Sequence, residues 1–286
     1  GMDFRLSLVI QYEPDRDLSG VADELVKQTT LARDSGFDVL AIPEHHVTED
    51  QYLTNEVVLS HVAEHIGDMT IATGMCLLPY HNPVRIAEVG ATVDVLTGGQ
   101  FRLGVAQGYR PKEFEAFGIP REDALGRFVE GVEIIKALWT NERVSYDGEY
   151  FQLDDVTINP KPVQDPRPRI VVGASNESSV RRAARLTDGW QASHLPFDGI
   201  ATRVEAFREE RAENGLDDGY LDIGREVYVA ETTEEAEAIV KEPLLRKYDR
   251  YVEWGQDEVF EDDEFDSAWE SLKDERFIVG SPDDVI

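Results

Sequence analysis

The chain is poor in cysteine, lysine and methionine, and it contains no long apolar run. A lone Cys76 cannot form an intramolecular disulfide, and no Cys/His spacing resembles a zinc knuckle, so stability must come from buried apolar surface. Only 7 lysines stand beside 21 arginines, and these 28 bases face 58 acids, for a formal charge of −30. A surface this short of positive charge excludes a nucleic-acid binder held by phosphate contacts, which needs a basic patch. No stretch reaches the roughly 18 apolar residues of a membrane span. The N-terminal Phe4–Ile10 run is too short for a signal-peptide core and is followed by charge. The expectation is a cytoplasmic protein with neither a membrane nor a nucleic acid as partner.

What the chain does have is apolar material, 41% of residues, which excludes a disordered acidic tail. Acids lie in every segment and are densest over 231–286, with 19 acids against 6 bases. Strong acidity combined with few lysines points to a halophilic protein, adapted to multimolar salt, where self-repulsion is screened to within about 3 Å.

Short runs rich in Val, Ile and Leu alternate with amphipathic stretches, the pattern of βα units around a parallel sheet. Strands are expected near 4–11, 39–43, 70–75, 101–106, 170–173, 189–193 and 221–229. Helices are expected near 21–35, 56–66, 83–96, 124–138, 178–186 and 200–214. One domain over 2–286 follows, an α/β fold of the TIM (β/α)8 barrel type, with residues 140–168 as a hairpin insertion after the fourth helix. Residues 231–279 read as an acidic helical segment, and Gly280-Ser281-Pro282 as a turn into a helix. The strand count stops at seven, so the eighth strand of the barrel is expected to be missing.

In such a barrel the strand exits converge on one open face. Read in order, they carry Gln11-Tyr12, Glu44-His45-His46, Gly74-Met75, Gln107-Gly108-Tyr109, Ala174-Ser175-Asn176 and Ser193-His194. Loops are polar in any case, and most of these residues mean little alone. Glu44-His45-His46 is different, because a carboxylate and two imidazoles at the end of a buried strand are costly unless paired or used.

These residues belong to a wider pattern. Gly36-Phe37-Asp38, Glu44-His45-His46-Val47-Thr48-Glu49, Leu78-Pro79 with Asn82-Pro83-Val84-Arg85, Gly98-Gly99-Gln100-Phe101-Arg102-Leu103-Gly104-Val105, and Glu113 with Phe117-Gly118 resemble the bacterial luciferase-like flavin monooxygenase family. Pro162-Val163-Gln164, Val171 to Ser175 and Thr187-Asp188-Gly189-Trp190 continue the likeness. The resemblance implies a TIM barrel that binds reduced FMN, or in a related branch a deazaflavin coenzyme, at the strand exits. It implies that His45 is a base or hydrogen-bond partner at the flavin's reactive edge, a role suited to imidazole, and that Glu44 orients it. Gly74-Met75 falls where the family carries a non-prolyl cis peptide under the isoalloxazine. Ser175 and Ser178 match phosphate-contacting positions, while Ala106, Gln107, Tyr109 and Ala174 line the cofactor pocket. Ala106 stands where luciferase has cysteine, and Gln107 where it has arginine, so no thiol chemistry follows. The further implications are a small-molecule substrate, a separate flavin reductase, and a homodimer through helices 56–66 and 83–96.

Three other readings compete. Hydride transfer with a deazaflavin would use no oxygen, and a non-catalytic flavin-binding barrel would keep the cofactor without the chemistry. His61-Val62-Ala63-Glu64-His65 matches the H-x-x-E-H pattern of inverted zinc peptidases, but it falls within an outer helix, remote from the strand exits, and no metal site is expected.

Overall fold

The computed structural model describes residues 2–255 and 268–285. Its contacts divide the chain into two compact units, Gly1–Gly108 with Lys112–Val172, and Tyr109–Pro111 with Gly173–Ile286.

In the first unit, strands Arg5–Ser7, Val39–Ile42, Thr70–Thr73, Phe101–Ala106 and the start of Ile170–Gly173 pair in chain order. All pairs are parallel, with Arg5 opposite Val39, Val39 opposite Thr70, Ile71 opposite Phe101, and Ile170 opposite Leu103. Parallel neighbours require a crossover, and helices Val21–Asp34, Asn55–Val62, Pro83–Leu96 and Ala124–Thr140 provide it. Val39–Ile42 is buried at all four positions, as expected of a strand covered on both faces. The expected first strand is shorter than the apolar run, because Gln11–Tyr12 leaves it to pair antiparallel with Gln51–Tyr52.

The insertion is a hairpin, Val144–Asp147 against Gln152–Val156, with a register irregularity between Val144 and Tyr146. The chain that follows is tied back by Asp94, buried in helix Pro83–Leu96. Its carboxylate accepts from Val163 N (2.8 Å), Gln164 N (3.0 Å) and Gln164 Nε2 (2.6 Å).

In the second unit Gly189–Ala192 pairs parallel with Tyr220–Ile223. Glu226–Val229 pairs parallel with Phe277–Gly280. Helices Glu177–Leu186, Phe197–Glu213, Thr233–Glu253 and Trp269–Arg276 accompany them. Three expectations are corrected here. The run 221–229 is two short strands, not one. A further parallel strand, Phe277–Gly280, follows the acidic region, so the strand count does not end at Val229 and the segment 231–279 is not wholly helical. Only three apolar residues mark this strand in the sequence, directly after a charged helix, too short a signal for alternation to reveal. Its anchor is tertiary, since Phe277 packs with Val240, Leu244, Tyr248, Trp269 and Leu272. The part of that segment at 256–267 lies outside the described residues.

Candidate active site

In the first unit Glu44-His45-His46 follows the buried strand Val39–Ile42, and the chain folds each of the three onto a partner distant in sequence. Glu44 is buried and forms a hub. Its Oε1 accepts from His46 Nε2 and His81 Nε2, each at 2.5 Å, and its Oε2 from the backbone N of Leu77 at 2.6 Å. Burial pushes the Glu44 carboxyl upward, but the bonds from His46, His81 and Leu77 outweigh it and hold the pKa at about 2. Burial would lower His81, yet the facing Glu44 carboxylate raises it above the ordinary histidine value. The pair is therefore a carboxylate facing an imidazole biased toward its charged form.

Glu113 is the second buried carboxylate, on helix Pro111–Phe117 and fully excluded from solvent. Its Oε1 lies 3.1 Å from His45 Nδ1 and accepts from His46 N at 2.8 Å, while its Oε2 accepts from Tyr80 Oη at 3.2 Å. The His45 ring meets Tyr52 edge-on, with centroids 5.6 Å apart. The Glu113 contact turns Nδ1 of this ring toward a carboxylate. Glu113 appears in the sequence motif without a role, and His81 was not among the expected site residues. Both are joined to the Glu-His-His motif only by folding.

The Gly74–Met75 peptide is cis. Below it Gly104 leaves room that no side chain could share. A Cβ there would lie 2.1 Å from the carbonyl oxygen of Thr73 and 2.6 Å from Met75 Sδ. Thr73 Oγ1 locks the crossing, donating to Gly104 O at 2.7 Å and accepting from Gly104 N at 2.9 Å. Ala106 sits opposite Leu77 and packs against the cluster of Leu77, Tyr80, Phe114 and Ala124. Gln107 is half-buried beside it.

Glu44, Cys76 and His81 bring an oxygen, a sulfur and a nitrogen within 4.8 Å of one another. The 2.5 Å between Glu44 and His81 is a hydrogen bond, since two ligands of one zinc ion stand over about 3 Å apart. Burial also pushes the Cys76 thiol well up, with Glu44 adding to the effect, so the sulfur stays protonated. The H-x-x-E-H residues do not assemble. The α-helix ends at Val62, His61 bonds Ala22 O at 3.1 Å, and His65 lies 3.4 Å from Glu64.

Tyr109, Ala174, Ser175 and Ser178 belong to the second unit. Ala174 O accepts from the buried Trp190 Nε1 at 2.8 Å, and Ser175 O is clamped by Arg203 Nε. Asn176 caps helix Glu177–Leu186, accepting from Ser179 N and from Ser178 Oγ, both at 2.9 Å. The Ser178 hydroxyl is thus engaged in the cap. Glu177 turns along the helix to Arg181 at 2.8 Å, and no carboxylate of the described residues pairs with the half-buried Arg182. Tyr109 is half-buried.

Alternating parallel strands and helices, with paired histidines and carboxylates at a strand exit, define a barrel-type α/β protein. The description "luciferase-like monooxygenase" matches residues 2–286, and the chain belongs to that family. It is 29% identical over 228 residues to the FMNH2-dependent dimethylsulfone monooxygenase of Pseudomonas putida, covering 77% of this chain and 62% of that protein. It is 28% identical over 266 residues to 4-hydroxyprotoasukamycin monooxygenase of Streptomyces nodosus subsp. asukaensis, covering 88% of this chain and 71% of that one. Among solved structures, monooxygenase RslO1 of Streptomyces bottropensis superposes with TM-score 0.86 at 23% identity over 99% of this chain and 86% of its own. The F420-dependent tetrahydromethanopterin reductase of Methanopyrus kandleri reaches 0.76 at 17% identity, covering 99% and 88%. The shared fold is of the TIM-barrel type.

Proposed function

We propose that residues 2–286 form one catalytic domain, a flavin-dependent monooxygenase that uses reduced FMN and dioxygen on a small organic substrate. The observation that carries the reading is the His45–Glu113 contact at 3.1 Å beside the Glu44 hub, which supports a role for His45 as an oriented base. The residues present suit a flavin phosphate. Helix Glu177–Leu186 begins with a cap that takes the N–H of Ser179, and Arg182 on the same helix meets no carboxylate of the described residues. Within the second unit, Ser175 and the start of that helix would hold the phosphate. When bound, reduced FMN supplies the electrons and activates dioxygen, one oxygen atom passing to the substrate and the other leaving as water. The protein's part is to orient and to move protons. Glu113 orients the His45 ring through Nδ1, and His45 would take and return a proton, with Glu113 stabilising the imidazolium that forms. Glu44 fixes the neighbouring loop through His46, His81 and Leu77.

The named relatives that use FMNH2 support this cofactor, and the F420-dependent neighbours support a deazaflavin hydride transfer as the second reading. Reduced flavin would come from a separate reductase. A cytoplasmic location and a homodimer accompany the proposal, the latter through the outer helices that expose Val57 and Leu96. No helix of the described residues is long and apolar enough to cross a membrane. Titrating the protein with reduced FMN and with reduced deazaflavin under anaerobic conditions, then admitting oxygen, tests the reading. Saturable FMN binding and oxygen consumption that depends on His45 are expected. Tight deazaflavin binding with no oxygen dependence would replace it.

A further inference from the structure

The second unit holds a partly buried group of charged and aromatic side chains that the flavin chemistry does not use. His194 follows strand Gly189–Ala192 in left-handed backbone, at φ 62°. Its Nδ1 lies 3.3 Å from Tyr248 Oη and 3.5 Å from Glu226 Oε1. Burial lowers the His194 pKa despite Glu226, so the ring is neutral near pH 7. Glu226 is already engaged, accepting from Lys247 Nζ at 2.7 Å.

Two guanidinium groups complete the group. Arg276, with only 1% of its side chain exposed, donates from Nε to the carbonyl of His194 at 2.7 Å and reaches Glu275 through Nη1 at 3.3 Å. Its Nη2 is buried and has no hydrogen-bond partner. Arg225 donates from Nη1 to Gly224 O at 3.1 Å and lies 4.5 Å over the Phe197 ring. Its Nε and Nη2 are both buried and both without a partner.

Those two nitrogens form one edge of the guanidinium, the fork whose spacing matches the two oxygens of a carboxylate. A buried N–H with no acceptor carries its full desolvation penalty, and two such nitrogens lie on Arg225 and one on Arg276. The charges do not cancel either. Lys247 is met by Glu226 and Arg276 by Glu275, while Arg225 makes no ion pair among the described residues, in a chain with thirty surplus acids. Among the described residues, nothing meets the Nε/Nη2 edge of Arg225.

We propose that the Nε/Nη2 edge of Arg225, with Arg276 Nη2 beside it, is a subsite for a small organic carboxylate. The planar Phe197 face under the guanidinium fixes the plane of the fork, and Lys247 neutralises Glu226, the carboxylate that would otherwise repel the ligand.

Acetate and its neutral isostere acetamide test this on the full-length protein, at constant chloride and ionic strength, by the relaxation of carbon-13-labelled probe. Saturable acetate binding is expected, with acetamide weaker by about tenfold or more, because it offers no second anionic oxygen to the fork. Arg225→Lys keeps the charge and removes the fork, and should weaken acetate by about tenfold while leaving acetamide unchanged. FMN affinity, measured in the same samples, reports separately on the monooxygenase reading. Acetate that fails to saturate, equal binding of acetate and acetamide, or an Arg225→Lys protein with undiminished acetate affinity would each overturn the proposal. The acetate and acetamide comparison on the native chain decides by itself if the variant does not fold.

Discussion

At His45 the decisive contact comes from a residue 68 positions away in sequence, because Glu113 selects the ring nitrogen that carries the proton. His45→Ala should leave FMN affinity within a few-fold and lower turnover by about 10²–10⁴, the usual worth of a positioned proton-transfer group. Glu113→Gln keeps an oxygen facing Nδ1 but removes its charge, so turnover should fall by about 10- to 100-fold, the range of one hydrogen bond to a charged group. Rapid-reaction kinetics at saturating reduced flavin separate the two effects, and an unchanged Glu113→Gln rate would reduce Glu113 to a packing role. Glu44 acts on stability. Its carboxyl is held at about 2, below the ordinary value, so its contribution is complete above about pH 4.5 and is lost as the pH falls toward 2. Acid unfolding of Glu44→Gln should therefore lack that limb, and the variant should be destabilised at pH 7 by roughly 3 kcal/mol. Glu44 and His45 were legible in sequence because charged groups beside an apolar run demand an explanation. His81 was not, since Leu-Pro-Tyr-His-Asn-Pro reads as an ordinary entry into a helix, and only the fold brings it to Glu44.

Elements were legible to the extent that their signal is local. Val39–Ile42 and Phe101–Ala106 are continuous apolar runs bounded by turns, and they form strands as read. Phe277–Gly280 escaped because three apolar residues after a charged helix carry no periodicity, and the packing of Phe277 decides its state. The short helix Pro111–Phe117, which carries Glu113, escaped for the same reason. Gly104 shows how closely neighbouring strands depend on each other. Its N–H and carbonyl both bond Thr73 Oγ1, and an added methyl group would meet the Thr73 carbonyl oxygen at 2.1 Å. Backbone oxygen in a paired strand cannot give way as a flexible side chain could. Gly104→Ala should cost at least about 2–3 kcal/mol in urea unfolding, toward the upper end of overpacking effects, and should also weaken FMN through displacement of Met75. A neutral Gly104→Ala would show that the strand yields and that the crossing is not a rigid floor.

For the whole molecule the dominant quantity is the formal charge of −30, spread along the chain with only 7 lysines. Many of the described acids sit on exposed positions, as on helix Thr233–Glu253, where few cations are available to meet them. At low ionic strength the screening length is near 10 Å at about 0.1 M salt, long enough for neighbouring carboxylates to repel across a helix face, and it shrinks to about 3 Å at 1 M. Compaction is then opposed by self-repulsion that salt removes. The thermal midpoint should rise by roughly 10 °C or more between about 0.1 M and 2 M KCl, the shift expected for several kcal/mol in a chain of this size. Salt also strengthens apolar burial, so the comparison needs sucrose, which favours compact states without screening charge. A KCl effect well beyond that of sucrose, and saturating once the screening length falls below the spacing of the acids, would identify electrostatic relief. Equal responses to the two, or a flat response to KCl, would mean that the acidity serves solubility and that the halophilic reading is wrong, with the His45–Glu113 chemistry untouched.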